Sequence, residues 1–325
     1  MKKKMNETKK LRSLKGKLIS IITPAWNESD NLEELCNQII YFVKKKLNNY
    51  EIIIVENGSS DNSFELLKKI NKENHRIKYI KLTRNFGYYG GLIAGMENSK
   101  GDIVITMDAD LQHPPKLIPD MIKKWEDGYN IVGTKKITNK QNSFLRNNAN
   151  FVYYKILQIL SGIPIENHNS DFRLFDKKAL QTLISLPEKQ KYLRGLSSWI
   201  GYKSAIIPFT APLRIAGKTK FNLIGLISVA ISGILSFSII PLRLISFLGL
   251  FISIICSLIT LYTFVDWYFV LSNEPPAGWM TLLVGIYFIG GIQLMSIGLL
   301  GEYLGQTLTE TRKRPSYIIE ETNLK

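Results

Sequence analysis

The chain has 325 residues and a formal net charge of +15, which is enough for a domain of about 200 residues and a second part. Its two cysteines, Cys36 and Cys256, lie in a helical pattern and in a long apolar run, so no disulfide is expected and a reducing compartment is the default. The sequence has no CxxC or His-rich pattern, which excludes the common zinc motifs.

Charge divides the chain into two parts. Residues 1–220 hold 37 of the 42 Lys and Arg and 21 of the 27 Asp and Glu, a net of +16, whereas residues 221–325 have a net of −1. Residues 1–17 are basic but lack the apolar stretch of a signal peptide, so we interpret them as a solvated arm, with attraction to anionic lipid as the alternative. The basic residues are spread without an aromatic-interleaved stripe, which argues against nucleic-acid binding.

Strand and helix patterns alternate along the first part. Apolar runs predict strands at 18–22, 50–55, 77–82, 103–107 and 130–134. Helical spacing predicts the segments between them, with Asp30 and Glu33 as a capping box and Asp61 and Ser63 as cap candidates. Strands that alternate with helices indicate a mostly parallel, right-handed α/β sheet.

Each of the first four strands is followed by a polar loop: PAWNE, ENGSSD, RNFG and DADLQ. In sheets of this kind ligands bind beyond the carboxyl ends of the strands, so the four loops predict a single site. Mg²⁺ and Mn²⁺ prefer oxygen ligands and are commonly held by one or two carboxylates together with substrate phosphates. We therefore expect Asp110 to face a metal ion with Gln112 beside it, and Asp108 to reach the ribose or metal-bound water. A solvent-facing turn or a helix cap is the alternative, and His113 is interpreted as a loop residue rather than a ligand.

The second part contains two uncharged stretches of 22 residues, Leu244–Val265 and Trp279–Leu300, each long enough to span a bilayer. Arg243 precedes the first stretch and the basic cluster at 312–314 follows the second, so the positive-inside rule predicts a hairpin with both chain ends in the cytoplasm. The apolar segment 221–240 carries a stripe of Gly and Ser residues, and we interpret it as an interfacial or re-entrant helix rather than a third span.

The combined motifs resemble those of a known family. The run PAWNE, ENGSSD, RNFG, DADLQHPP, DFRLFD, RGLSSW and RIAGKTK, followed by two spans and GEYLG…RPSYI, covers about residues 18–320. It is similar to the family-2 inverting glycosyltransferases that load a sugar onto a polyisoprenyl phosphate, such as bactoprenyl-phosphate glucosyltransferases and dolichyl-phosphate mannose synthases. The resemblance implies a Rossmann-like GT-A domain that uses a nucleotide-diphosphate sugar, with UDP-glucose ahead of GDP-mannose. It places the enzyme in the cytoplasmic membrane as a multi-pass protein.

The resemblance also implies a division of the chain and a set of site residues. The segments are a basic arm at 1–17, a catalytic domain at 18–212, a juxtamembrane segment and interfacial helix at 213–241, two transmembrane helices at 242–306 and a cytoplasmic tail at 307–325. The implied nucleotide-sugar residues are Pro24, Glu28, Glu56, Arg84, Asp108 and Asp110. A Mg²⁺ or Mn²⁺ ion would be held by Asp110 and Gln112. Arg214, Lys218 and Lys220 would bind the lipid phosphate, and a general juxtamembrane basic cluster that holds anionic lipid is the alternative.

The implied catalytic residues are Asp110, Asp171 and Arg214. Asp171 is a candidate general base, and a structural acid paired with Arg173 or Arg194 is the alternative. The chain departs from the usual family pattern at two places, with Trp26 where Tyr is usual and Glu56-Asn57 where two aspartates are usual. The second departure bears on base recognition more than on catalysis.

The implied partners are the nucleotide sugar, the polyisoprenyl phosphate and membrane lipids. A homo-oligomer and a downstream flippase are candidate partners on which the sequence is silent. Two other functions stay open: a processive polysaccharide synthase and a non-catalytic membrane-anchored sensor of nucleotide sugar. The synthase is disfavoured because Arg194 and Trp199 do not form the usual QxxRW motif and only two spans follow.

Overall fold

The computed structural model describes residues 12–44, 47, 49–137, 169–188, 191–210, 240–270 and 278–324. The chain divides into two compact units. The first contains Met1–Gln158, Gly162–Asn222 and Arg314–Lys325, and the second contains Ile159–Ser161 and Leu223–Lys313.

The first unit is built on one sheet, in which the described residues form eight strands. They are β1 Ile19–Ala25, β2 Tyr50–Glu56, β3 Ile77–Leu82, β4 Ile103–Thr106, β5 Ile131–Ile137, β6 Asn169–Asp176, β7 Ser204–Thr210 and β8 Ile319–Thr322. The spatial order is β7-β5-β6-β4-β1-β2-β3-β8. Only β6 and β8 pair antiparallel with their neighbours, so the prediction of a mostly parallel sheet is confirmed.

Helices follow most of the strands. They are α1 Ser29–Lys44, α2 Ser63–Glu73, α3 Gly87–Asn98, α4 Ile118–Glu126, α5 Lys177–Ser185 and α6 Leu193–Trp199, with a 3-10 turn at Pro115–Leu117 before α4. The side chain of Asp176 caps α5 by accepting the Lys178 backbone N–H at 3.0 Å.

The core lies around the central strands. Every residue of β1, β2 and β4 is buried, which is why these strands are mainly apolar and do not alternate between apolar and polar residues. All five predicted strands form, with ends shifted by no more than about three residues, within the usual scatter of such boundaries.

Three strands, β6, β7 and β8, were not predicted from the sequence. In β6, the charged residues Asp171 and Arg173 interrupt the apolar pattern, although both are buried. In β8, Ile319–Thr322 is polar and mostly exposed, and it pairs with β3 through Ile80↔Thr322 and Lys81↔Glu321. This last strand adds a structural element to the segment interpreted as a cytoplasmic tail.

The second unit contains two long helices, α7 Ile240–Val270 and α8 Trp279–Thr311. Within the part of the chain that the structure describes, one helical segment, Phe288–Thr311, is long and apolar enough to cross a membrane, and Leu242–Ile252 is a shorter apolar stretch. The two-span hairpin is therefore not confirmed and stays a prediction. The interfacial helix expected at 221–240 lies outside the described residues except for Ile240, which begins α7.

Candidate active site

The four polar loops meet at one edge of the sheet, because β4, β1, β2 and β3 are consecutive neighbours whose parallel strands end on the same side. The predicted convergence is therefore observed. Hydrogen bonds join successive loops: the Asn27 side chain accepts the Ser60 backbone N–H at 2.8 Å, and the Asn27 backbone N–H donates to Ser59 Oγ at 2.9 Å. Asn27 adopts a left-handed conformation with φ 53°, which Asn tolerates better than most residues.

Asn57 ties the second loop to the third. Its Nδ2 donates to the Gly87 carbonyl at 2.9 Å, its Oδ1 accepts the Phe86 backbone N–H at 3.0 Å, and the residue is only 3% exposed. A side chain on Gly58 would overlap the backbone of Arg84, and Gly58 has φ 67°, so this close approach of the two loops requires glycine. The amide at 57 therefore has a structural use, because an aspartate could not donate to the Gly87 carbonyl.

The two glutamates expected at the nucleotide also hold their own loops. Glu56 is buried, and its Oε1 accepts the Ser59 backbone N–H. The Glu28 side chain accepts a hydrogen bond from Asn31 Nδ2 at 2.7 Å. Both lie at the predicted edge of the sheet, and their contact with a nucleotide stays a prediction.

Three further residues occupy this edge. Pro24 is buried in β1, close to Gly91 of α3. Arg84 is exposed, with its guanidinium 4.1 Å from the centroid of the Phe86 ring. Trp26 is 38% exposed, so part of this side chain is accessible in the first loop.

The DADLQ loop turns sharply. Asp110 Oδ1 accepts the Gln112 backbone N–H at 3.1 Å, and Leu111 between them has φ 60°. A buried leucine in the left-handed region is uncommon, and such strain persists where the surroundings enforce it. Gln112 Oε1 accepts a hydrogen bond from Lys136 Nζ at 3.4 Å.

Asp108 accepts a hydrogen bond from Tyr88 of helix α3. Its Oδ1 accepts the Tyr88 hydroxyl at 2.6 Å, and 32% of its side chain is exposed. The partial burial of Asp108 raises its pKa. His113 and the hydrogen bond from Tyr88 act in the opposite direction, and the negative charges of Asp171 and Asp110 raise the pKa further. No pattern in the sequence indicates Tyr88, because its contact with Asp108 depends on how α3 packs beside β4.

His113 is buried beneath this loop, with Nε2 2.6 Å from Ser170 Oγ. The sequence interpretation placed it in a loop and not on a metal, and the structure gives it an interior position next to β6.

Asp171 reaches the site from β6, which pairs with β4. Arg194 Nε and Nη2 donate to Asp171 Oδ2 at 3.0 and 2.7 Å, so the pairing with Arg194 weighed from the sequence is present. Burial alone would raise the pKa of Asp171, but the charge and hydrogen bond of Arg194, followed by the charge of Arg173, outweigh it and hold the pKa below its usual value. Within the described part of the chain, buried Oδ1 of Asp171 and Nη2 of Arg173 have no hydrogen-bond partner.

The remaining predicted residues, Arg214, Lys218 and Lys220, lie outside the described residues. No group of three or more His, Cys, Asp or Glu side chains that could hold a metal was found in the described ranges. A divalent ion bound through substrate phosphates needs fewer protein ligands, and the carboxylate of Asp110 and the amide oxygen of Gln112 are the kind of oxygen donor that such an ion prefers.

The chain is similar in sequence to known glycosyltransferases. Residues 20–184 match the model of glycosyl transferase family 2. The chain is 36% identical to an uncharacterized glycosyltransferase of Synechocystis sp., over 93% of this chain and 95% of that protein. It is 35% identical to the putative glycosyltransferase CsbB of Bacillus subtilis, over 96% and 94%. It is 33% identical to a prophage-derived bactoprenol glucosyl transferase of Shigella flexneri, over 94% and 98%.

Proposed function

Since the chain belongs to glycosyl transferase family 2, we propose that it transfers a hexose from a nucleotide-diphosphate sugar to a polyisoprenyl phosphate. The observation that carries this proposal is the pair Asp108 and Asp110, placed at the carboxyl edge of a mostly parallel sheet among three other polar loops. Relatives that match nearly their whole length are named bactoprenol glucosyl transferase, which supports a polyisoprenyl phosphate as the acceptor.

The donor that we favour is UDP-glucose, with GDP-mannose next. The glucosyl activity in the names of the relatives supports glucose. Glu28, Glu56 and Arg84 line the loops where the nucleotide would lie, and Trp26 offers an exposed ring for stacking on a base.

The acceptor needs little activation. A phosphate monoester has a second pKa near 6, so it is largely an oxyanion at neutral pH. Asp171 is paired with Arg194 and its pKa is lowered, which suits a charged residue that orients the site better than a strong general base. Transfer then depends on aligning the acceptor oxygen with the anomeric carbon from the side opposite the diphosphate, which inverts the configuration there.

Stabilisation of the leaving group completes the proposed mechanism. Asp110 and Gln112 would hold Mg²⁺ or Mn²⁺, and such an ion supplies positive charge to a departing diphosphate. The hydrogen bond from Tyr88 fixes the orientation of Asp108 beside that position. Arg214, Lys218 and Lys220 would neutralise the lipid phosphate, Arg through fork-shaped contacts and Lys as point charges.

We place the enzyme in the cytoplasmic membrane with both chain ends in the cytoplasm. Many large apolar side chains of α7 and α8 are exposed, including Phe247, Tyr262 and Leu294, as expected of helices that face lipid. Strand β8, which follows α8, pairs with β3, which precedes α7. An odd number of crossings between them would separate these strands, so their pairing supports a two-span hairpin.

A donor panel tests the proposal. The full-length protein in detergent is incubated with Mn²⁺, a short polyprenyl phosphate and radiolabelled UDP-glucose, GDP-mannose, UDP-galactose or UDP-N-acetylglucosamine. We expect a lipid carrying one sugar, formed fastest from UDP-glucose. A polymeric product would identify a processive synthase instead. Donor binding without any transfer would identify a non-catalytic sensor.

A further inference from the structure

His113 contacts the two halves of the proposed site at the same time. Its Nδ1 accepts the Asp108 backbone N–H at 2.9 Å. Its Nε2 lies 2.6 Å from Ser170 Oγ and 3.4 Å from Asp108 Oδ2. The ring is 6% exposed and is stacked on Phe172, with centroids 5.3 Å apart and an interplanar angle of 20°. Few side chains could keep all of these contacts.

The hydrogen bond from Asp108 fixes the tautomer of the ring. A backbone N–H needs a lone pair to donate to, so Nδ1 carries no proton and the ring proton lies on Nε2. Nε2–H therefore donates to Ser170 Oγ and stands beside Asp108 Oδ2. With both nitrogens engaged inside the protein, His113 is not available as a metal ligand.

Ser170 carries the connection to Asp171. It directly precedes Asp171 in β6, its Oγ accepts the Phe172 backbone N–H at 3.2 Å, and its carbonyl accepts Arg173 Nε at 3.0 Å. Hydrogen bonds from His113 thus lead on one side to Asp108 and on the other to the strand that carries Asp171.

We propose that His113 is a positioning residue that fixes Asp108 of the DADLQ loop relative to the Asp171–Arg194 pair. The proposal rests on the proposed function, because it assigns both carboxylates to one reaction. His113 acts through Asp108 and Ser170 and not by contact with substrate.

Three substitutions distinguish the contact of His113 with Asp108 from its contact with Ser170. His113→Asn can offer an oxygen near the position of Nδ1 but does not reach Ser170. His113→Gln can reach Ser170 with Nε2–H but offers no acceptor at Nδ1. Ser170→Ala removes the same contact as His113→Asn while leaving the ring in place.

The test uses full-length protein in detergent and two readouts. Binding of Mn²⁺ in the presence of UDP is followed by the loss of the free-Mn²⁺ electron paramagnetic resonance signal, and sugar transfer gives kcat and KM. We expect His113→Gln to weaken Mn²⁺ binding about 10- to 100-fold, because Asp108 would hold metal-bound water and the loss of such an outer-shell support typically has an effect of this size. We expect His113→Asn and Ser170→Ala to keep the Mn²⁺ affinity and to lower kcat by a similar factor with little change in KM.

Additivity provides a second criterion. Since His113→Asn and Ser170→Ala break the same hydrogen bond, the double variant should lose no more kcat than either single variant. His75→Ala removes an exposed histidine that precedes β3, at the edge of the sheet opposite the four loops, and serves as the matched control. Its Mn²⁺ affinity, kcat and thermal unfolding temperature should equal those of the wild-type protein.

The outcomes separate this proposal from the proposed function. A wild-type protein that binds Mn²⁺ with UDP and transfers sugar, together with His113 and Ser170 variants at wild-type values, would overturn the role of His113 alone. A parallel fall of Mn²⁺ affinity, kcat and unfolding temperature in all variants would also overturn it, in favour of a general packing role. A wild-type protein that transfers no sugar would overturn the proposed function and this role with it.

Discussion

Asn57 illustrates how a single side chain sets the shape of the site. The family pattern that the sequence resembles usually has an aspartate at this position, whereas this chain has an amide. That amide donates to the Gly87 carbonyl and accepts the Phe86 N–H, both in the loop after β3. The departure seen in the sequence is thus explained by a contact between two loops.

We expect Asn57→Asp to lower the free energy of unfolding by about 1–3 kcal/mol, because a buried carbonyl loses its donor. The new negative charge would also repel the Gly87 carbonyl and displace the loop after β3. Because that loop belongs to the proposed nucleotide site, the affinity for UDP should fall. Thermal unfolding and UDP titration measure the two effects. Asn62→Asp is the matched control, because Asn62 is exposed and its side chain makes no capping hydrogen bond. Equal behaviour of the two variants would contradict this explanation.

The ion pair of Asp171 with Arg194 should make the stability of the protein depend on pH. Its pKa is lowered in the folded protein, so its charge contributes stability above the unfolded-state pKa of about 3.9, and this contribution is lost as the pH falls through the folded pKa. Asp171→Asn should therefore lower the free energy of unfolding by about 1–3 kcal/mol at pH 7, and by progressively less below about pH 4. Urea unfolding of both proteins between pH 7 and pH 3 measures the difference. A cost that stays constant or grows in acid would contradict the Arg194 pairing.

At the level of single residues, the sequence located the acids but not their supports. Asp108 and Asp110 follow an apolar run, and a chain-order pattern is enough to find them. Tyr88 contacts Asp108, and Ser170 contacts His113, only after helix α3 and strand β6 have taken their places. His113 contacts the Asp108 backbone within the same loop, but no motif spacing marks that contact.

Among the secondary-structure elements, strand β8 could not be predicted from the sequence. Five strands could be predicted from their apolar residues, and three of them, β1, β2 and β4, are buried along their whole length, as mainly apolar strands are expected to be. β8 is short and polar, and side-chain contacts hold it to β3: Lys81 Nζ lies 2.7 Å from Glu320 Oε1, and the Tyr79 backbone N–H donates to Asn323 Oδ1 at 2.8 Å. Contacts of this kind leave no periodic pattern.

Removal of residues 316–325 should expose the hydrogen-bonding edge of β3. An uncovered edge strand favours aggregation, so we expect a lower unfolding temperature and more high-molecular-weight material in size-exclusion chromatography. Removal of Lys325 alone is the control for shortening the chain. If the longer deletion behaves like this control, β8 does not contribute to the stability of the sheet.

At the scale of the whole molecule, charge and hydropathy separated two parts of the sequence, and the structure divides the chain into two units. Composition could not assign β8 to the first unit, because that assignment depends on pairing between residues more than 200 positions apart. The lipid-phosphate cluster at Arg214, Lys218 and Lys220 and the segment 221–239 remain sequence predictions.

The two-span hairpin has a direct consequence for orientation. We expect a green fluorescent protein fused after Lys325 to be fluorescent in bacterial cells, and an alkaline phosphatase at the same point to be inactive, since both report a cytoplasmic end. A third fusion within residues 271–277 should show the opposite pattern. Active phosphatase at the C-terminus would contradict an even number of crossings.

Chelation tests the central claim, that a divalent cation at Asp110 assists departure of the diphosphate during transfer to a lipid phosphate. Purified protein, radiolabelled UDP-glucose and a short polyprenyl phosphate are combined with Mn²⁺, with excess EDTA, or with EDTA followed by excess Mn²⁺. We expect EDTA to reduce labelled lipid at least about 100-fold, Mn²⁺ to restore it, and Asp110→Asn to remain inactive with Mn²⁺ present. Undiminished synthesis in EDTA, or wild-type rates from Asp110→Asn, would contradict the account.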